Sequence, residues 1–292
     1  MGLVLLCTAA YTHVQTFTEK ISKELTFEKK GSNTLMIFNI NGDVKVEGYA
    51  GDKVIVEVNR RITGKTEARL QQGKDEIQLG VLDRADTILL YIKGCNDFGK
   101  LADKRDGRHR RRNGWGYNWS DCRNGNGSCE KLYDYEMDFT IKVPAGINLA
   151  ASTINNGEVE VTNVSGSLLV DNINGGIKLK NISGGTNAST INGDVDLDYS
   201  GNPSSDSRYY TLNGDINANF RKGLAAQLTF KSFNGEFYSS IQDISPMAVV
   251  VEKYNKGEGI QYRVNGNRYK VRGGGPLLDF ETFNGDVYLK EN

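Results

Sequence analysis

"TINNGEVEVTNVSGSLLVDNINGGIKLKNISGGTNASTINGDVDL", residues 153–197, repeats one phrase several times over. Gly157, Gly166, Gly175, Gly184 and Gly193 fall nine residues apart. Two residues after each stands Val159, Leu168, Ile177, Thr186 or Val195, and four after stands Val161, Val170, Leu179, Ala188 or Leu197. Side chains of a strand alternate between two faces, so the +2 and +4 positions share one face and each nonapeptide reads as a short strand buried on one side. The corners alternate as well: Asn156, Asn174 and Asn192 precede every second glycine, and Ser165 and Ser183 precede those between. The larger unit is therefore eighteen residues with two unlike corners. At that pitch Glu160, Lys178 and Asp196 line up on the outward face with alternating sign, which favours parallel stacking because opposite charges across a strand pair are mildly stabilising.

Three inward apolar groups supply roughly 2 kcal/mol each, whereas ordering nine backbone units costs roughly 1–2 kcal/mol apiece. One unit cannot fold alone, so neighbouring coils must share a core and pair their backbones, with a cap at each end. The expected fold is all-β: a parallel β-solenoid (β-helix) of eighteen-residue coils with an N-terminal β cap and an inserted loop. Val159, Val161, Ile177, Leu179, Val195 and Leu197 belong inside it, and Glu160, Lys178 and Asp196 outside. Asn-Gly between alternating strands is also the strongest hairpin signal, which makes an antiparallel meander the rival.

The phrase recurs with looser spacing as "FNINGDVKV" at 38–46, "TLNGDINAN" at 211–219, "SFNGEFYSS" at 232–240 and "TFNGDVYLK" at 282–290, with insertions between units. These motifs resemble the bacterial "putative adhesin" β-repeat proteins, related to head-GIN-domain proteins, whose signature is a recurring Ile-Asn-Gly-Asp-Val type motif. "DFTIKVPAGINLAASTINNGEVEV", residues 138–161, is similar to that family's lead-in to its repeats. The resemblance covers residues 17–292. It implies a β-helical, exported, surface-associated protein and carries over no catalytic residue.

Composition narrows the function. Lys plus Arg and Asp plus Glu both number 36, and a net charge of zero argues against a nucleic-acid-binding or strongly membrane-attracted protein. With 34 glycines against 4 prolines, the turns are built from flexible corners. The opening "MGLVLLCTAA" has an apolar core and a small-residue ending, like the back half of a secretory signal, without the usual Lys or Arg in front. Residues 1–16 are thus expected to be a signal segment and 17–292 a single β-solenoid domain. Cys7 invites a lipoprotein reading, but Leu6 precedes it where a small residue is normally needed, so cleavage near Ala10 is preferred. No stretch approaches the roughly 20 apolar residues of a spanning helix.

Around "DKVIVEVNRRI" (52–62), "DTILLYIKG" (86–94) and "YDYEMDFTIKVP" (133–144) the chain alternates as strands, and "TEARLQQGKDE" (66–76) is the one helical stretch. Residues 95–131 break the pattern: polar, Gly-rich and aperiodic, they read as an inserted loop. This loop holds Cys95, Cys122 and Cys129; an odd number in an oxidising compartment predicts one bridge and one free thiol. Cys122 and Cys129 flank the turn-forming "RNGNGS" and are the expected pair. Zinc is disfavoured, since the spacing is not of the CxxC kind and the only histidines are His13 and His109. The loop also concentrates Arg108, Arg110, Arg111 and Arg112 beside Trp115, Tyr117 and Trp119. Arginines take phosphate or carboxylate through paired donors and rings stack on sugar faces, so together they could grip an anionic glycan. The plainer reading has the arginines solvated and the rings covering scaffold surface. Asp194, Asp196 and Asp198 put three carboxylates on one strand face, which suits calcium or a β-helix polysaccharide lyase, but the turns lack the Gly-Gly-x-Gly-x-Asp pattern of calcium nonapeptides, and a solvated face is preferred.

No Gly-x-Ser-x-Gly elbow, phosphate loop or metal-ligating His pair is present. The expectation is an exported, non-enzymatic, adhesin-like binding protein of the periplasm, outer-membrane surface or exterior. It would present the 95–131 loop to an anionic glycan or cell-envelope component, with no cofactor, metal or nucleic-acid partner. A purely structural envelope protein is the alternative, and a polysaccharide lyase a third reading.

Overall fold

A computed structural model describes residues 14–29, 31–94, 132–256, 259–265 and 267–292. Nearly all of the expected signal segment and the whole of the 95–131 loop, with Cys122 and Cys129, lie outside the described residues.

The repeats distribute themselves over two sheets. Val159–Thr162, Ile177–Ile182 and Val195–Tyr199 belong to a ten-stranded sheet, while Leu168–Asp171 and Thr186–Asn192, the nonapeptides between them, belong to an eleven-stranded one. Residues eighteen apart are parallel partners: Ile177 lies opposite both Val159 and Val195, and Leu168 opposite Thr186. The six inward residues named above are at most 2% exposed and fill the space between the sheets. Further along, that space takes larger rings. Tyr199 stacks on Phe220 at 5.2 Å, and Tyr209 packs on Phe280 at 4.8 Å. The Tyr199 and Tyr209 hydroxyls share a 2.7 Å hydrogen bond, which lets two phenols be buried without an unpaired oxygen.

The molecule is nevertheless not the parallel β-solenoid of coils that the periodicity suggests; it is built from two large mixed sheets with antiparallel pairs. The reason lies where the nine-residue glycine period is absent. Gln15–Thr26, Lys53–Gly64 and Tyr133–Pro144 each run for 12 residues without a corner. With no corner to send the chain into the second sheet, these strands stay in one plane and pair antiparallel, Phe17 opposite Ile62 and Val58 opposite Phe139. At the other end the insertion after residue 231 adds Ile244–Pro246 and Arg268–Val271, antiparallel to each other, with Arg268–Val271 also antiparallel to Ala226–Lys231. Nor does space follow chain order. Leu277–Asn284 inserts between Ser207–Asn213 and Ala226–Lys231, and Val287–Glu291 between Ile216–Phe220 and Phe237–Ser239. The helix Glu67–Glu76 packs beside the long antiparallel strands and is capped by Thr66, whose side chain accepts from the Arg69 amide.

The Asn-Gly-Asp phrase itself proves to be a stacking device. Asn41, Asn155, Asn174, Asn192, Asn213, Asn284 and Asn234 form a ladder in which each side-chain amide donates to the carbonyl of the one before, at 2.8–3.3 Å. The glycine that follows is demanded by close approach: a β-carbon on Gly175 would overlap the Gly157 carbonyl oxygen, and one on Gly214 that of Gly193. The aspartate carboxylate then accepts a backbone N–H from the adjacent coil, Asp194 from Asp215 and Asp215 from Asp286, both at 2.8 Å. Inside the corner, Thr190 and Thr211 donate to the Gly175 and Gly193 carbonyls at 2.9 and 2.8 Å. Glu160 and Lys178 stand opposite each other as the register requires, but the ion pairs run diagonally, Lys178 to Glu158 at 2.7 Å and Lys180 to Glu160 at 3.1 Å.

Candidate functional site

Alternation leaves every second side chain of Asn148–Ser152, Leu168–Asp171, Thr186–Asn192 and Ser207–Asn213 on the outer face of the eleven-stranded sheet. The pairing register sets these in rows. Ala150, Leu169, Asn187 and Arg208 form one, and Ser152, Asp171, Ser189 and Tyr210 the next. Small side chains at Ala150 and Ser189 leave the surface hollow, and two depressions of about 460 and 430 Å³ meet at Leu169 and Asn187. The first is lined by Leu169, Asp171, Asn187, Ser189, Arg208 and Tyr210; the second continues over Ala150, Thr34, Asn148, Ser167, Ser205 and Asp206. Together they make a groove crossing four neighbouring strands.

Most of the polar lining is neutral. Thr34, Ser167, Asn187, Ser189, Ser205 and Tyr210 offer hydroxyls and amides that both donate and accept. Leu169 supplies an apolar centre, 47% exposed although its neighbours on the strand are buried. Arg208 adds little net charge: its guanidinium lies 2.8 Å from Glu281 and 3.8 Å from Asp279, and it sits 5.9 Å over the Tyr210 ring. Asp171 is the unusual member. Burial pushes its carboxyl up to about 6, so it is largely protonated in mildly acidic water and charged above that. Beside it in register, the Ser152 hydroxyl is buried with no hydrogen-bond partner among the described residues.

Arg108, Arg110, Arg111, Arg112, Trp115, Tyr117 and Trp119 lie outside the described residues, as do Cys122 and Cys129. Of the aspartate row, Asp194 takes the Asp215 N–H and Asp196 takes the Asn217 side-chain amide at 2.9 Å, so both bind the next coil. Among the described residues no group of three His, Cys, Asp or Glu is placed to hold a metal ion, and no helix is long and apolar enough to cross a membrane. The groove was not singled out from the sequence, although a trace of it is there. Leu168-Leu169 and Tyr209-Tyr210 double a large apolar residue where strict alternation calls for a polar one, and the second of each pair faces the groove.

No protein-family model matches the chain, and no curated protein matches it. Among solved structures, a "putative cell adhesion protein" from Clostridium sporogenes is similar at 11% identity and a TM-score of 0.44, over 94% of this chain and 100% of that one. A "putative adhesin" from Bacteroides fragilis follows at 12% identity and a TM-score of 0.32, over 94% and 97%. A "putative lipid binding protein" from Parabacteroides distasonis gives 11% and 0.26, over 94% and 96%. At these values none carries a function across.

Proposed function

We propose that the protein is a non-enzymatic, adhesin-like binding protein, exported to the cell surface or periplasm, that holds an uncharged saccharide in the groove of the eleven-stranded sheet. The groove lining carries this reading. Hydroxyl and amide groups surround one exposed leucine and a tyrosine ring, which is the combination a sugar needs: hydrogen-bond partners at its rim and an apolar surface under its C–H face. Because Glu281 and Asp279 already neutralise Arg208, the groove favours a neutral saccharide over the anionic glycan expected of the 95–131 loop. The asparagine ladder at the ends of these strands fixes their spacing, so little ordering is left to oppose binding.

The test is an oligosaccharide binding screen, neutral and anionic, with the intact protein, Tyr210→Ala, Asn187→Ala and a chain lacking residues 100–120. Neutral saccharide binding that resists salt and falls at least tenfold in both groove variants, with unchanged melting, is the expected result. Groove variants that bind like the parent overturn it. Binding that is salt-sensitive and disappears with residues 100–120 would instead assign recognition to Arg108–Arg112.

A further inference from the structure

Each large sheet has two edges, and three of the four are blunted. Gln15–Thr26 carries Glu19, Lys20, Lys23 and Glu24; Gln78–Arg84 ends in Asp83 and Arg84; Ile244–Pro246 closes on a proline. Charges and prolines of this kind keep an edge from pairing with another chain. The fourth edge, Phe237–Ser239, has neither. Its coil is hydrogen-bonded to Val287–Glu291 as far as Ser240: the Val287 N–H donates to Glu236 and the Ser240 N–H to Leu289, both at 3.0 Å. Residues 236, 238 and 240 therefore face the sheet, and Phe237 and Ser239 turn both their N–H and C=O groups away from it. The rings of this coil are also open at one end. Tyr238 stacks on Tyr288 at 5.2 Å and is 49% exposed, and Phe233 stacks on Phe283 at 4.8 Å and is 74% exposed.

We propose that this edge joins two copies of the chain in a two-fold dimer, with Phe237–Ser239 pairing antiparallel to itself about Tyr238. The outward backbone groups select that register. With Tyr238 on the axis, Phe237 lies opposite Ser239 of the second copy, and the two residues exchange both hydrogen bonds. The same happens on the other side of the axis, giving four in all and leaving no outward group of the strand unpaired. Tyr238 then occupies a non-hydrogen-bonded position facing its own copy, where Cα atoms approach to about 4.5 Å and side chains meet closely. The tyrosine stack that now ends at Tyr238 continues through the axis. Glu236, the one charge between Phe233 and Ser240, falls opposite Ser240 of the second copy, so no like charges meet.

Sedimentation velocity over a concentration series tests the dimer with the intact chain, Ser239→Pro and Tyr238→Lys. Ser239→Pro removes an N–H that points to the outer side, so two of the four interchain bonds go; it also removes the hydroxyl that accepts the Ile241 N–H at 3.1 Å, and Ser239→Ala, which loses that contact alone, is the control that should stay dimeric. Oxidative cross-linking of Tyr238→Cys, mapped by peptide mass, fixes the register. Its two thiols meet across the axis, whereas in Glu236→Cys they would be about 13 Å apart at the usual strand rise, beyond disulfide reach. The expected results are a parent dimer, monomeric Ser239→Pro and Tyr238→Lys with parental circular dichroism, and interchain linkage at position 238 alone. A parent chain that is monomeric at every concentration, a dimer that survives both variants, or linkage through position 236 overturns the proposal. A saccharide or unrelated protein held at this edge by the monomer overturns it as well.

Discussion

Replacing Gly184 by alanine asks whether the nine-residue glycine period is a packing requirement. The backbone angle of Gly184 is one that any residue can adopt, so the penalty comes from space alone. A β-carbon there would overlap the Gly166 carbonyl and lie 3.0 Å from the Ser165 oxygen, both backbone atoms of the coil below. Relief requires the corner to move, and three contacts hold it in place. The Leu168 N–H donates to Gly185 at 2.9 Å, the Thr186 hydroxyl to Gly184 at 3.1 Å, and the Thr186 N–H to the Ser207 hydroxyl at 3.0 Å. A buried group left without its partner costs about 1–3 kcal/mol, so disturbing this set should cost about 3–5 kcal/mol, at the upper end for one substitution. The loss of unfolded-state freedom from Gly to Ala offsets only about 0.4–1 kcal/mol. Gly146→Ala is the matched control, since a β-carbon there meets nothing within 4 Å, and it should leave stability unchanged or raise it by about 0.4–1 kcal/mol. Urea denaturation followed by far-ultraviolet circular dichroism compares the two. A Gly184→Ala midpoint equivalent to a loss of less than about 0.5 kcal/mol, the range of an ordinary surface change, would refute the packing argument.

Two further predictions concern pH. The Asp171 carboxyl is raised to about 6 in the folded protein against about 3.9 unfolded, so the native state holds its proton longer and stability falls as pH rises through that interval. Asp171→Asn should therefore stabilise the protein at neutral pH by about 1–3 kcal/mol, with the gain vanishing near pH 4, as thermal melts at both pH values would show. Glu291 behaves oppositely. The Arg272 guanidinium, together with the Gly223 and Leu224 N–H groups, holds its carboxyl below the ordinary range, so its contribution is present above the unfolded value and lost as pH falls through the folded one. Glu291→Gln should lower the midpoint at pH 7 and make the acid side of the stability profile shallower.

How far the sequence could be read depended on whether order was local. Glycine spacing and alternation placed Val159, Val161, Ile177, Leu179, Val195 and Leu197 in the core, because a strand's faces are set by its own residues. Where three 12-residue strands ran on without a corner, the same alternation was present but its pairing partner was not written in it, and the antiparallel end of the ten-stranded sheet was missed. The insertion of "TFNGDVYLK" between two earlier repeats was equally illegible, since each unit carries the same Asn ladder and fits beside any other. Charge pairing was legible in sign but not in partner, because long lysine side chains reach diagonally to Glu158 and Glu160. The groove needed the register of four strands to bring Leu169, Asp171, Asn187, Arg208 and Tyr210 together, and residues 169 to 210 are too far apart in the chain for spacing alone to connect them.

Hydrogen–deuterium exchange of the intact protein, with and without the best neutral oligosaccharide from the screen, tests the central claim most directly. Binding in the groove predicts slowed exchange confined to peptides spanning 148–152, 167–171, 185–189 and 205–210, with residues 38–46 and 232–240 unaffected. Protection that falls in 95–131 and leaves those four segments unchanged would contradict it.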